Sequence, residues 1–290
     1  MNDQTKVVMT AGALRLQLTP SIGGAISAFE RDGLPVLRPC PDPLDNVLDA
    51  ACFPLVPFAN RIRGGRFTFR GREVRLTPNM AGDPSPLHGQ GWLSPWSVIT
   101  QSSASATLEY RHEPGEWPWR YAARQEFALD ENGLTVTLSC ENLSEEPMPC
   151  GLGMHPYFEC GSETRIDTKV ACAWTVDEHV LPVAKVPATG RYDLHDRAVC
   201  GQGLDNGFSD WGGVATITGE PVGTIAMSSP GEHFFQLYSP PAGGIFVAEP
   251  VSHANCALNA PEEQWPELGM RVLDCGEEMR LRMRIEVRQP

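Results

Sequence analysis

Long apolar runs are missing from this 290-residue chain, and none approaches the length needed to cross a membrane as a helix. Basic residues are also few. The 23 Lys and Arg stand against 36 Asp and Glu, for a net charge of −13. That balance opposes nucleic acid and anionic membrane surfaces, which both need a basic face, and leaves a neutral small molecule as the natural ligand. The first residues, Met1-Asn2-Asp3-Gln4-Thr5-Lys6, carry no apolar signal core. Nine cysteines occur at long spacings with no C-x-x-C pair. Reduced, mostly buried thiols in a cytoplasmic protein are therefore expected. There is no H-E-x-x-H and no close Cys/His group, so no metal is expected. Nucleotide loops and the G-x-S-x-G nucleophile motif are absent too, which leaves no cofactor to expect.

Helical periodicity is scarce as well. Short helices are expected only near residues 43–51 and 261–268. What is present is alternation. Leu14, Leu16 and Leu18 alternate with Arg15 and Gln17, and Phe67 and Phe69 with Arg66, Thr68 and Arg70. Leu134, Val136, Leu138 and Cys140 alternate with Thr135, Thr137 and Ser139. The cleanest run sets Leu281, Met283, Ile285 and Val287 against Arg280, Arg282, Arg284 and Glu286. Each pattern places one strand face in a core and the other in water. Asp32-Gly33, Arg70-Gly71-Arg72 and Asn132-Gly133 lie between such runs as hairpin turns do. The 28 glycines and 26 prolines suit many short strands joined by turns. These features predict an all-β protein, a large antiparallel β-sandwich of two sheets packed face to face. No linker or repeat divides it, so residues 1–290 read as one domain. The loops Cys40-Pro41-Asp42-Pro43 and Gly82-Asp83-Pro84-Ser85-Pro86 read as surface excursions. The loop Glu113-Pro114-Gly115-Glu116-Trp117-Pro118-Trp119 fits either a lip over a site or an edge packed by aromatics.

Two residues stand out chemically. Glu249 closes the apolar run Gly244-Ile245-Phe246-Val247-Ala248 and is backed by Pro250, which suits a carboxylate held stiffly at a sheet edge or mouth. His155 lies in Gly151-Leu152-Gly153-Met154-His155-Pro156-Tyr157-Phe158, fixed in a similar manner. A rigid carboxylate and a rigid imidazole are the minimum for proton transfer without a cofactor. Three further segments look too elaborate for plain turns: residues 53–62, which include Asn60-Arg61-Ile62; residues 86–92, which include Leu87-His88-Gly89; and Leu204-Asp205-Asn206-Gly207-Phe208.

Taken in order, Asn60-Arg61-Ile62, Leu87-His88-Gly89, His155-Pro156-Tyr157-Phe158, Leu204-Asp205 with Phe208, and Val247-Ala248-Glu249-Pro250 resemble the aldose 1-epimerase (mutarotase) family along nearly the whole chain. The resemblance implies the galactose mutarotase-like sandwich with a sugar cleft on one sheet face. It implies interconversion of the α and β anomers of a free aldose without metal or nucleotide, by a monomer or homodimer. It implies Glu249 as general base, His155 as general acid and His88 as a second histidine near the reacting centre. Arg61 and Asp205 match ligands of sugar hydroxyls, and Asn60 stands beside them. The chain departs from the common pattern in two places. Gln90-Gly91-Trp92 stands where many members have an arginine, and Val251-Ser252-His253-Ala254-Asn255-Cys256 follows the glutamate. Both departures bear on which sugar is taken.

Ordinary side-chain pKa values of about 4.3 for Glu and about 6.5 for His predict that Glu249 starts ionised. His155 then needs a nearby negative charge, Glu249 or Asp205, to stay protonated at neutral pH. Asp205 precedes Asn206-Gly207, so a turn-forming role stays open for it, and Arg61 fits a structural ion pair as well as a ligand. His112, His179, His195 and His233 are read as non-catalytic; His253, four residues beyond Glu249, is set apart from them. Three other functions stay open. A hexose-6-phosphate 1-epimerase would need cations such as Arg61, Arg63 and Arg66 on one face. A non-catalytic carbohydrate-binding sandwich would use Trp92, Trp96, Trp117 and Trp119 as stacking surfaces. A glycoside hydrolase would pair Glu249 with Asp205.

Overall fold

The cleanest alternation in the sequence becomes the middle strand of the largest sheet. Glu278–Arg288 pairs antiparallel with Gly133–Asn142, setting Leu281 against Leu138, Met283 against Val136 and Ile285 against Leu134, all buried. Burying side chains of this kind stabilises by about 1.5–3 kcal/mol each, so the pattern commits this face inward. These strands belong to a computed structural model that describes residues 6–288, and the reading of Met1-Asn2-Asp3-Gln4-Thr5 lies outside them.

Nine strands form this first sheet, in the order Arg197–Ala198, Arg165–Thr168, Val214–Glu220, Gly223–Ser228, Glu278–Arg288, Gly133–Asn142, Tyr121–Asp130, Ser105–His112 and Ser97–Gln101. The second sheet runs Pro182–Pro187, Cys172–Val176, Leu204–Ser209, Phe234–Ser239, Ile245–Val251, Gly153–Met154 and Pro54–Leu55, with Tyr157–Glu159 also paired to Ile245–Val251. Every named strand pair in both sheets is antiparallel. One cluster of buried side chains joins Leu134, Leu281 and Met283 of the first sheet to Phe208, Phe235, Phe246 and Ala248 of the second. The expected sandwich is therefore the observed one. A smaller sheet, Val7–Ala11, Leu14–Thr19, Ala25–Arg31 and Leu34–Pro35, contributes Leu14, Leu16 and Leu18 to the same core.

The period of two explains why the second sheet can carry a site. Along Ile245–Val251, Phe246 and Ala248 enter the shared core. Val247 and Val251 face the opposite way, into a separate apolar cluster with Phe53, Leu87, Trp92 and Tyr157. Glu249 has the parity of Val247, so the strand offers its carboxylate to this second side.

Several expectations change. Glu249 is not at a sheet edge: its strand is flanked by Phe234–Ser239 on one side and by Tyr157–Glu159 and Gly153 on the other. The expected helices shrink to single 3-10 turns, Val47–Asp49 and Glu262–Gln264. Asp32-Gly33 and Arg70-Gly71 are two-residue hairpin loops with left-handed backbone at both positions. At the third hairpin Gly133 already belongs to the strand. There the Asp130 carboxylate accepts the Asn132 and Gly133 N–H groups at 2.8 and 3.1 Å. Trp117 and Trp119 form no lip. Both are buried, in edge and tilted contacts with each other, Phe58, Phe67 and Phe69. The nine cysteines are all unbridged, four of them buried.

Candidate active site

The second face of the Glu249 sheet is roofed by two loops that hold each other in strained backbone. Asn60 and His88 both adopt left-handed φ, 58° and 59°. Such angles in residues with a Cβ persist only where the surroundings impose them. Here the imposition is reciprocal. The His88 N–H donates to the Asn60 carbonyl at 3.0 Å, and the Asn60 N–H donates to His88 Nδ1 at 3.1 Å. An accepting Nδ1 leaves the proton of the neutral ring on Nε2. Gly89 follows with φ 69°, and a Cβ there would sit 2.1 Å from the Val56 carbonyl oxygen, so the His-Gly pair is a packing requirement.

The segment after Glu249 holds the Asn60-Arg61 loop from below. His253 Nε2 accepts the Ala59 N–H at 2.9 Å, and Asn255 Oδ1 accepts the Arg61 N–H at 2.9 Å. Ser252 Oγ accepts the Leu152 N–H at 2.9 Å and so ties in the His155 segment. Residues 252–255 thus act as a template for two cavity-lining loops. His253 is structural, as its other nitrogen, Nδ1, lies 2.8 Å from the Ala254 carbonyl.

His155 is placed by its backbone and by aromatic packing. Its N–H donates to the Phe53 carbonyl at 3.0 Å. Its ring stacks on Phe53 at 4.5 Å and touches Tyr157 and His88 at 4.7 and 5.5 Å. Nε2 lies 3.5 Å from Glu249 Oε1. Gln236, directly opposite Glu249 across the ladder, donates from Nε2 to Asp205 Oδ1 at 2.7 Å. Asp205 lies inside the strand Leu204–Ser209 and not in a turn. Gly207 faces Gln236 Oε1 and the Trp174 ring, which leave little room for a side chain, and this explains the glycine without any turn.

All six expected residues, Asn60, Arg61, His88, His155, Asp205 and Glu249, line one cavity of about 250 Å³, walled also by Leu48, Phe53, Met80, Leu87, Trp92, Tyr157 and Tyr238. Its size suits one small ring, near the lower end for ligand sites. A larger open groove of about 890 Å³, lined by Lys185, Asp210, Glu232 and Arg271 among others, contains none of the six. Of the arginine trio, only Arg61 reaches the cavity. Arg63 is exposed and donates to the Pro182 carbonyl, and Arg66 lines a different depression. The three cations do not gather at one point.

Electrostatics overturn the expected resting state. Burial pushes Glu249 well above the usual carboxylate range. The negative charge of Asp205 adds to this, and Arg61 opposes it. Burial pushes His155 down to about 3. Burial also holds His88 well below the ordinary histidine value, with His155 and Arg61 acting in the same direction. Asp205 is raised by burial, against the pull of Arg61 and the Gln236 bond. In the sugar-free cavity burial thus favours the neutral form of both Glu249 and His155, against the ionised pair expected from ordinary pKa values. The reason is that desolvation disfavours each charge before either partner can supply one.

Glu249 Oε2 and the Asn60 Nδ2 amide are buried with no hydrogen-bond partner among the described residues, and His155 Nδ1 has none on another residue. Such atoms have capacity to spare for ligand hydroxyls. Among the described residues no group of three His, Cys, Asp or Glu is placed to hold a metal ion. Sequence reasoning missed Gln236, Tyr238 and Asp83. Gln236 carried a signal, being a lone amide in the apolar run Phe234-Phe235-Gln236-Leu237. Asp83 carried none. Its loop read as a surface excursion, yet its carboxylate pairs with Arg61, Nε to Oδ2 2.9 Å, with side chains only 8% and 10% exposed.

Comparison with known proteins shows the family and the fold. The family model described as aldose 1-epimerase matches residues 5–286. The uncharacterized protein YphB of Escherichia coli K12 is 37% identical over 271 residues, which span 89% of this chain and 91% of that one. An Escherichia coli protein named aldose 1-epimerase is 27% identical over 112 residues, 37% of this chain and 31% of its own. The crystal structure of a candidate aldose 1-epimerase from Escherichia coli K12 superposes with a TM-score of 0.89 at 34% identity, covering 99% of both chains. A galactose mutarotase-like protein from Clostridium acetobutylicum shares the fold, with a TM-score of 0.84 at 19% identity over 98% of this chain and 95% of its own.

Proposed function

The chain belongs to the aldose 1-epimerase family, and on that premise we propose that it interconverts the α and β anomers of a free aldose by acid–base ring opening and reclosure. The observation that carries this reading is the Glu249–His155 pair, 3.5 Å apart, buried, and facing a cavity for one small ring.

Ring opening of a hemiacetal removes the proton of the C1 hydroxyl, breaks the bond from C1 to the ring oxygen, and protonates that oxygen. The open aldehyde turns about C1–C2, and the ring closes on the other face. One group must take a proton while another gives one, since one-sided transfer leaves a high-energy ion. Glu249 takes the C1 proton and His155 supplies the ring oxygen. After opening, Glu249 carries the proton and His155 is neutral, which is the distribution that burial favours in the empty cavity. The pair therefore holds one proton throughout, and the site is biased toward the open-chain stage. Binding the closed sugar must move that proton from Glu249 to His155. Sugar hydroxyls that donate to Glu249 favour this shift. Reclosure returns both protons along the same path.

Arg61, Asp205, Asn60 and His88 surround the pair and offer both donors and acceptors, as a polyhydroxyl ligand requires. Trp92, Phe53 and Tyr157 provide apolar walls for the C–H faces of the sugar. The test is polarimetry on freshly dissolved α-D-glucose, α-D-galactose, xylose and arabinose, with spontaneous mutarotation subtracted. Acceleration by wild type that is lost in Glu249→Gln is the expected result. No acceleration on any of these sugars would reject the reading for them.

A further inference from the structure

Among the described residues Arg61 is the sole Lys or Arg side chain that lines the cavity. An unpaired guanidinium in such a place would attract anions. Asp83 removes that attraction. Its Oδ2 accepts from Arg61 Nε at 2.9 Å, and its Oδ1 accepts the Ser85 N–H at 2.8 Å. The carboxylate is thus anchored in its own loop and holds the arginine from one side. Buried as they are, the two charges are poorly screened by salt or water, so their cancellation is felt at the cavity. Using Nε for Asp83 leaves the Nη1 and Nη2 end, which has no hydrogen-bond partner among the described residues, for ligand oxygens.

Among the described residues no second Lys or Arg lines the cavity, although the charge of Arg38 is felt at His155. Arg38 lies behind the cavity wall, its guanidinium 3.6 Å from the centre of the Tyr157 ring and donating to the Leu48 and Ala50 carbonyls. One guanidinium therefore faces two carboxylates, Asp83 and Asp205, before Glu249 is counted. Resting on the mutarotase reading above, we infer that Asp83 is a positioning and specificity residue. It aims Arg61 at sugar hydroxyls and cancels its charge, so that the site takes neutral aldoses and rejects sugars bearing a phosphate or carboxylate.

The experiment titrates inorganic phosphate by calorimetry at fixed ionic strength into wild type, Asp83→Asn, Asp83→Glu, and Asp83→Asn combined with Arg61→Gln. Asp83→Asn is expected to bind phosphate about tenfold more tightly than wild type, the size of one good electrostatic contact. Asp83→Glu should return to rejection, and the double variant should lose the gain. For a free aldose, Asp83→Asn should raise KM several-fold with a smaller change in kcat. Equal phosphate affinity in wild type and folded Asp83→Asn overturns the inference, as does a gain that survives loss of Arg61. Wild type supplies an arm independent of variant folding. A hexose 6-phosphate should bind more weakly than the matching free hexose, and equal or tighter binding overturns the inference. These titrations need no turnover. Absent mutarotation with phosphate rejected sinks only the proposed reaction, whereas turnover of the phosphate ester alone sinks both.

Discussion

His253 and His155 are both withdrawn from water, at 2% and 8% exposure, yet their rings are used in opposite ways. His253 has a backbone partner at each nitrogen, the Ala59 N–H and the Ala254 carbonyl. His155 has no partner for Nδ1 on another residue, and its Nε2 meets only Glu249, at the long distance of 3.5 Å. Burial depresses both, His253 to about 4 and His155 to about 3. Depth and pKa therefore do not tell the two apart. Spare hydrogen-bonding capacity does: a saturated ring holds the fold, and an unsaturated one costs stability and is free to meet a ligand.

The sharpest way to break this comparison is to remove each side. Glu249→Gln and His155→Asn should each lower kcat/KM by about 10²- to 10⁴-fold, the usual worth of a positioned acid or base. Glu249→Gln should leave the urea midpoint near wild type, because one buried polar group of the same size replaces another, and His155→Asn should lose only what its packing on Phe53 contributes, about 1 kcal/mol. A matching loss of stability would place these residues with His253. Conversely, His253→Ala should cost about 2–4 kcal/mol of stability, because it leaves the Ala59 N–H buried without an acceptor and opens a cavity. Its kcat per folded molecule should stay within a few-fold of wild type.

Acid sharpens the contrast with smaller effects. Unfolded histidines bind protons below about pH 6.5, whereas His253 and His155 refuse them in the folded protein until about pH 4 and 3. Stability should therefore fall as pH drops from about 6.5 toward 4, by up to about 1.4 kcal/mol per pH unit per histidine. Glu249 has the opposite sign. Its raised value gives stability that is complete below the ordinary carboxylate range and is lost as pH rises through the folded value. Urea midpoints across pH should thus show a steeper acid slope in Glu249→Gln than in wild type. The pH profile of kcat/KM should keep its acid limb well below 6.5, and a limb near 6.5 would return His155 to an ordinary histidine. The smallest effect belongs to Trp119→Phe. Trp119 packs on Phe69 away from the cavity, so polarimetry should find KM for a free aldose within about twofold of wild type.

Much of the fold was legible because strand alternation is local. Leu281, Met283 and Ile285 declare their inward face to any reader of the sequence, whereas their ladder with Leu134, Val136 and Leu138 is visible only in the fold. The six candidate site residues were singled out by their motifs, and the fold brings them to one cavity. Glu249 was given the wrong surroundings, because an apolar run backed by proline resembles a strand end whether or not other strands flank it. The Trp117-Pro118-Trp119 loop offered two readings, and packing against Phe58 and Phe67 chose the inner one. Asn206-Gly207 looked like a turn, but both residues lie inside a strand, where Gln236 Oε1 and the Trp174 ring stand close to the place of a Cβ on Gly207.

The sequence by itself determined the class of fold and the family, and it singled out the candidate acid–base pair, because periodicity and motif spacing are properties of neighbouring residues. Tertiary structure alone decided that Asp83 meets Arg61, that Gln236, opposite Glu249, holds Asp205, and that burial drives Glu249 and His155 toward their neutral forms. Those outcomes depend on how much water each group has lost and which charges surround it, and both are sums over residues that come together only when the chain has folded.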